Sequence, residues 1–329
     1  MMERQAPFIR GDDRITHHNR DLLIALLPIL VMPTLFYGWR PVLLVLTGML
    51  TAMVCECVGC VLMRRRISVL DGYAAASGAL IGAMMSPLAP MWMPVVGAIF
   101  AILVVKFPFG GQGHYLFSPA AAAVALLTQC WPHHMFTYPV LHTKLPLLWE
   151  VPAESVITAT SPAGQLATGT YSVYSGVDLL TGMIPGPIAG TGLLVLAAVA
   201  LYLFIRHSTF PMVTGPYILT CAVLAVLFPR ASGDWYISII NELSAGYLLF
   251  AGLFLLNSCI TPRSRTGRAV YGVLAGCLVM LLRHVGQFEE GTCFAVLLVN
   301  VVAPRLDNVC WRVRAFARRL WERKGVHAE

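Results

Sequence analysis

Charge is what this 329-residue sequence has least of. Aspartate, glutamate, lysine and arginine together make up 12% of it, about half the share in an ordinary soluble domain. So few charges cannot cover a water-facing surface, which excludes a soluble globular domain. Polar stretches are scarce too: between the first and last apolar runs, only 132–187 is a long polar connection. A cleavable signal pattern is missing. The opening MMERQAPFIRGDDRITHHNR is polar throughout, so the first apolar run, from Leu22, is expected to stay as an anchor. A disulfide framework is missing as well, because several of the nine cysteines fall inside apolar runs, where they act as small hydrophobes.

What is there is apolar. The hydrophobic share is 57% and the mean hydropathy +0.72. Runs near the length of about 20 residues that crosses a bilayer fall at 22–38, 41–62, 72–87, 92–107, 115–131, 188–206, 211–229, 236–257, 268–283 and 290–304. The expected fold is an all-α membrane protein with about ten transmembrane helices, some broken or re-entrant. The short, small-residue run 72–87 and the run 115–131, which starts near a Gly cluster, are the candidates for such breaks.

Ten crossings put both termini on one side. A cytoplasmic N-terminus places 19 basic residues inside and leaves four, Arg40, Lys144, Arg230 and Arg283, outside. That asymmetry fits the positive-inside rule, and it explains the net charge of +7 without nucleic acid as a partner. The layout is then a cytoplasmic segment 1–21, one polytopic domain 22–307 with an outer loop at 132–187, and a basic cytoplasmic tail 308–329. The tail, WRVRAFARRLWERKG, alternates Arg with apolar residues, as an interfacial helix on the anionic inner leaflet does.

Five stretches carry a resemblance. They are DGYAAASGALIGAMMSPLAP from Asp71, KFPFGGQGHYLFSPAAAA from Lys106, LLTGMIPGPIAGTG from Leu179, LFLLNSCITPRSRTGR from Leu253 and LRHVGQFEEGTCFAVLLVNVVAP from Leu282. In this order and spacing the chain resembles the RnfD/NqrB family. That family comprises RnfD, a membrane component of the Rnf electron-transport complex, and its paralogue NqrB, a component of the sodium-translocating NADH:quinone reductase. The resemblance covers most of the chain from Leu22 to Asp307.

The family carries FMN on a threonine through a phosphodiester bond. The matching motif here is ESVITAT, Glu154 to Thr160, which makes Thr160 the acceptor, with Thr158 and Ala159 beside it. Two positions depart from the family pattern: Glu154 stands for Asp and Ile157 for Ser/Thr. The resemblance also implies a non-covalent riboflavin or second flavin beside Gly110, Gly111, Gly113 and Ser118. Tyr115 and Ser118, however, stand where the family usually has Asn. Implied partners are the other membrane and peripheral subunits of an Rnf-type complex, a flavin transferase and the bilayer, in the inner membrane of a bacterium or archaeon. The implied function is passage of electrons coupled to sodium or proton movement. A secondary transporter using the same helices, or a flavin-free scaffold within such a complex, is the alternative.

The remaining signals are read from the residues. GGQG at Gly110–Gly113 has no βαβ unit around it, so it is a helix break rather than a dinucleotide loop. Glu242 lies in an apolar run, as part of an ion path or as a paired acid. For Glu56 a paired or protonated acid is favoured over an ion path, since neighbouring subunits could satisfy it. Arg283, Glu289 and Glu290 either order the flavin loop by ion pairs or cap a helix; Arg283 is also a candidate cofactor contact. Cys55, Cys57 and Cys60 have metal-like spacing, but on a helix Cys57 points away from the other two, so they are read as packing residues.

Overall fold

The computed structural model describes residues 11–64, 71–110, 115–147, 156–170, 172–190, 192–231, 235–258, 260–286 and 288–325. The candidates Gly111, Gly113 and Glu154 lie outside these residues. The first half comprises α1 (Gly11–Tyr37), α2 (Arg40–Leu62), α3 (Tyr73–Ala83), α4 (Trp92–Ile99, continued as a π-helix over Phe100–Lys106) and α5 (Pro119–Cys130). The long connection holds α6 (Pro132–Phe136), β1 (Tyr138–Pro139), β2 (Thr158–Ala159), α7 (Pro162–Ala167) and α8 (Gly176–Thr181). The second half comprises α9 (Leu193–Ile205), α10 (Pro211–Leu227), α11 (Trp235–Ser244), α12 (Leu248–Phe250, continued as a π-helix over Ala251–Leu255), α13 (Arg265–Val285) and α14 (Thr292–Gly325).

Each of the ten apolar runs is a helix or a helix pair. Among the described residues, Thr16–Tyr37, Arg40–Leu62 and Arg265–Val285 are long and apolar enough to cross a membrane alone. The bent pair α11–α12 makes a fourth when it is taken as one span. Tyr73–Ala83, Trp92–Lys106, Pro119–Cys130, Leu193–Ile205 and Pro211–Leu227 are shorter apolar helices. On α2, Leu46, Leu50, Val54, Val58 and Val61 form an exposed apolar stripe opposite a buried face. A helix apolar on both faces suits lipid on one side and protein on the other. The buried side packs closely because its residues are small. A Cβ on Gly78 would strike the Gly48 carbonyl and lie 2.7 Å from the Ala52 Cβ, the tight approach that membrane helices use.

A sharp break falls in the run 236–257, while the runs 72–87 and 115–131 form the short helices α3 and α5. The axes of the two pieces differ by 68°. Gly246 turns the chain there with φ +58°, and the Glu290 carboxylate occupies the space where a Cβ would sit. Freed carbonyls at membrane depth need donors from the protein. Arg283 supplies them, donating to the Glu242 oxygen at 3.1 Å and the Ala245 oxygen at 2.8 Å.

Arg40 and Lys106 are buried as well. Arg40 donates to the carbonyls of Pro87, Ala89 and Pro146, and so fastens the buried turn after α3. The Lys106 ammonium lies 2.7 Å from both Glu56 oxygens, and both side chains are 2% exposed. Glu56 is thus the paired acid, with its partner in this chain rather than in a neighbouring subunit, on the π-helical end of the fourth apolar run. Cys55 and Cys60 are buried against Ala52, Ala74, Ile102 and Phe107.

Candidate functional site

Thr160 sits at a junction fixed from both sides. Upstream, β2 pairs antiparallel with β1, Tyr138 opposite Ala159 and Pro139 opposite Thr158. Downstream, Ser161 caps α7, its hydroxyl accepting from the Gly164 amide at 3.0 Å, with Pro162 at the first helical position. This is the usual chemistry of a helix start, and the Ser-Pro pair announces it in the sequence. Thr158 and Thr160 are exposed and Ala159 is half-buried.

Thr158, Ala159 and Thr160 share the wall of a cavity of about 650 Å³ with His133, Phe136, Tyr138, Phe288 and Glu289. The volume lies within the range of small-molecule sites. Its aromatic side is built from distant segments: the Phe136 and Phe288 rings stack with centroids 6.2 Å apart, and Phe288 stacks on Phe294 at 6.1 Å. Planar apolar walls beside a reachable hydroxyl suit a flavin attached through its phosphate.

Glu289 closes the polar side. One carboxylate oxygen accepts from the Ser161 hydroxyl; the other is buried with no hydrogen-bond partner. Burial pushes the Glu289 carboxyl up to about 7 against the opposing pull of the Ser161 hydrogen bond, and nearby Glu290 adds to the rise.

Behind the cavity lies a network of charges. Arg283 pairs with Glu290 and, at 3.1 Å, with Glu242. Arg230 grips Glu242 with two nitrogens at 2.5 and 2.7 Å, and the Thr292 hydroxyl donates to Glu290 at 2.7 Å. Of the two readings of Glu242, the geometry therefore shows the paired acid. Arg283, a candidate cofactor contact, is enclosed in this network and absent from the wall of the Thr160 cavity. Of Arg283, Glu289 and Glu290, Glu289 is the residue that reaches the Thr160 segment.

Ser118 belongs to a different place. With Tyr115, Asn257, Asp21, Arg206 and Tyr73 it lines a second cavity of about 920 Å³, from whose wall Arg283 is also absent. Gly110 turns the chain at φ +106° after the π-helix. Asn257 ties elements together: it donates to Thr214, Gly252 and Leu253 and accepts from the Phe210 amide. Phe136, Phe288 and Tyr138 escape a reading of the sequence, since nothing local marks them as one wall.

Comparison with known proteins agrees with this architecture. The family described as NQR2, RnfD, RnfE matches residues 2–315. The chain is 30% identical over 306 residues to the D component of the Na(+)-translocating ferredoxin:NAD(+) oxidoreductase complex of Acetobacterium woodii, covering 92% of this chain and 91% of the relative. It is 31% identical over 337 residues to the D component of the ion-translocating oxidoreductase complex of Stutzerimonas stutzeri, covering 93% and 92%. It is 27% identical over 324 residues to the D component of the proton-translocating ferredoxin:NAD(+) oxidoreductase complex of Clostridium ljungdahlii, covering 95% and 96%. With a match across nearly its whole length, the chain belongs to the NQR2, RnfD, RnfE family.

Proposed function

We propose that this chain is a membrane subunit of an ion-translocating electron-transport complex of the ferredoxin:NAD type, and that it carries FMN bound covalently to Thr160. The observation that carries the reading is that Thr160 is exposed and lines an aromatic cavity of about 650 Å³. Phe136, Phe288 and Tyr138 would hold the ring system, and Thr160 would hold the phosphate. The flavin would supply one- and two-electron transfer, and the protein would fix its position and tune its potential. The relatives' names support the complex and its coupling to sodium or protons.

On this reading the 132–187 connection faces outward from the inner membrane of a bacterium or archaeon, and a flavin transferase matures the protein. The cavity around Tyr115, Ser118 and Asn257 is the place we assign to a second, non-covalent flavin such as riboflavin; its volume of about 920 Å³ is ample for one.

The test is peptide mass spectrometry on the 145–205 segment after co-expression with a flavin transferase. An added mass of FMN less water on Thr160, absent in Thr160→Ala, is expected. An unmodified peptide, with the transferase active on a control substrate, overturns covalent attachment and favours a transporter or a flavin-free scaffold.

A further inference from the structure

The Thr160 segment is held by a residue that lies far away in the sequence. β2 fixes the chain before Thr160, but α7 after it has six residues, too few to be stable alone. Ala163 and Leu166 anchor α7 on Ala231 and Ala245. At its first turn, the polar contact from another element is Glu289, whose carboxylate accepts from the Ser161 hydroxyl. Gly164 makes the approach possible. A Cβ there would run into the Glu289 carboxylate and lie 3.0 Å from the Thr160 methyl carbon, so carboxylate and threonine flank the same bare glycine. Both residues also line the aromatic cavity.

We propose that Glu289 is a positioning residue for the flavin-bearing threonine: by gripping Ser161 across Gly164 it holds Thr160 towards the aromatic cavity. This rests on the flavin reading of Thr160. Charged and titratable groups face Glu289 from several elements: His133 on α6, Tyr138 on β1, Glu290 beside it and Arg283 on α13. A carboxylate in that setting does two separable things. It orients the segment through a hydrogen bond, and when ionised it places a negative charge at the cavity wall.

The test uses the full chain in membranes, loaded by a flavin transferase, as wild type, Glu289→Ala, Glu289→Gln, Ser161→Ala and Gly164→Ala. The readouts are the initial rate of flavin loading by peptide mass and the midpoint potential of the bound flavin at pH 8. Glu289→Ala, Ser161→Ala and Gly164→Ala are expected to load about tenfold more slowly, the order for losing one hydrogen bond. Glu289→Gln keeps an acceptor oxygen and is expected to load within about twofold of wild type. Its midpoint potential rises, because removing a negative charge favours the added electrons, a change that a purely structural role would not produce. Wild-type loading rates in Glu289→Ala and Ser161→Ala, or an unshifted potential in Glu289→Gln, overturn the proposal while leaving the flavin reading intact. A wild-type chain that takes no flavin from an active transferase overturns both. Should Glu289→Ala fail to accumulate, Ser161→Ala and Glu289→Gln decide.

Discussion

Breaking the Glu56–Lys106 pair should cost far more than removing it. The Lys106 ammonium lies 2.7 Å from both Glu56 oxygens, with both side chains 2% exposed, and 4.6 Å from the Tyr73 ring centroid. At an effective dielectric constant of about 20, a unit pair at this distance attracts by roughly 6 kcal/mol. Desolvation of the two ions, several kcal/mol each, offsets most of that, so the intact pair contributes little net stability. Removing one partner leaves the desolvation of the other uncompensated, at about 3–5 kcal/mol. Lys106→Met and Glu56→Gln are therefore each expected to lose roughly 6–15 °C of apparent melting temperature in detergent, taking about 2–3 °C per kcal/mol for a chain of this size. The double variant should recover most of this, giving a coupling of several kcal/mol in the cycle. The assay is heating of detergent-solubilised protein followed by size-exclusion chromatography. If Lys106→Met melts within about 2 °C of wild type, or the double variant is no better than the singles, the pair does not lock α2 to the π-helical end of α4.

Two further outcomes follow from the site. Gly246→Ala forces a side chain into the left-handed conformation at φ +58° and into the Glu290 carboxylate; a loss of about 2–4 kcal/mol is expected from strain and displaced pairing, read as a lower melting temperature, and unchanged stability would refute the account of the break. The Glu289 carboxyl is pushed up to about 7 from an ordinary 4.5, so burial favours its protonated form. Its contribution is fully present below about pH 4.5 and is lost as pH rises through about 7, a local change of order 1–3 kcal/mol. Hydrogen exchange at the α7 amides, corrected for intrinsic rates, should therefore show falling protection over this window, and Glu289→Gln should flatten the profile.

The ten helical segments are legible in the sequence because long apolar runs admit few alternatives in a chain this poor in charge. The break in 236–257 is not, because that run is largely apolar and Gly246 resembles any other membrane glycine. The bend depends on Arg283, which satisfies two carbonyls from a helix that follows later in the chain. Thr160 can be placed by its local motif, and Ser161-Pro162 can be read as a helix start. The aromatic wall cannot, since Phe136 and Phe288 meet only after the second half has folded against the first. The partner of Glu56 is hidden from the sequence for the same reason: it is 50 residues away.

The same pairings bear on orientation. The basic residues that the sequence leads one to expect outside are Arg40, Lys144, Arg230 and Arg283. Three of these are internal parts: Arg40 fastens the turn after α3, and Arg230 and Arg283 neutralise Glu242 and Glu290. Their side chains are withdrawn from the surface, with Arg40 and Arg283 buried and the Arg230 side chain 6% exposed. Within that set, Lys144 is the exposed one. Lys106, on the inner side of the count, is withdrawn in the same way. Basic residues withdrawn in this way serve as internal partners of carbonyls and acids rather than as surface charge. Charge is rare in this chain, and much of what is buried serves irregular backbone and acids near the Thr160 cavity, where apolar packing alone would leave polar groups unsatisfied.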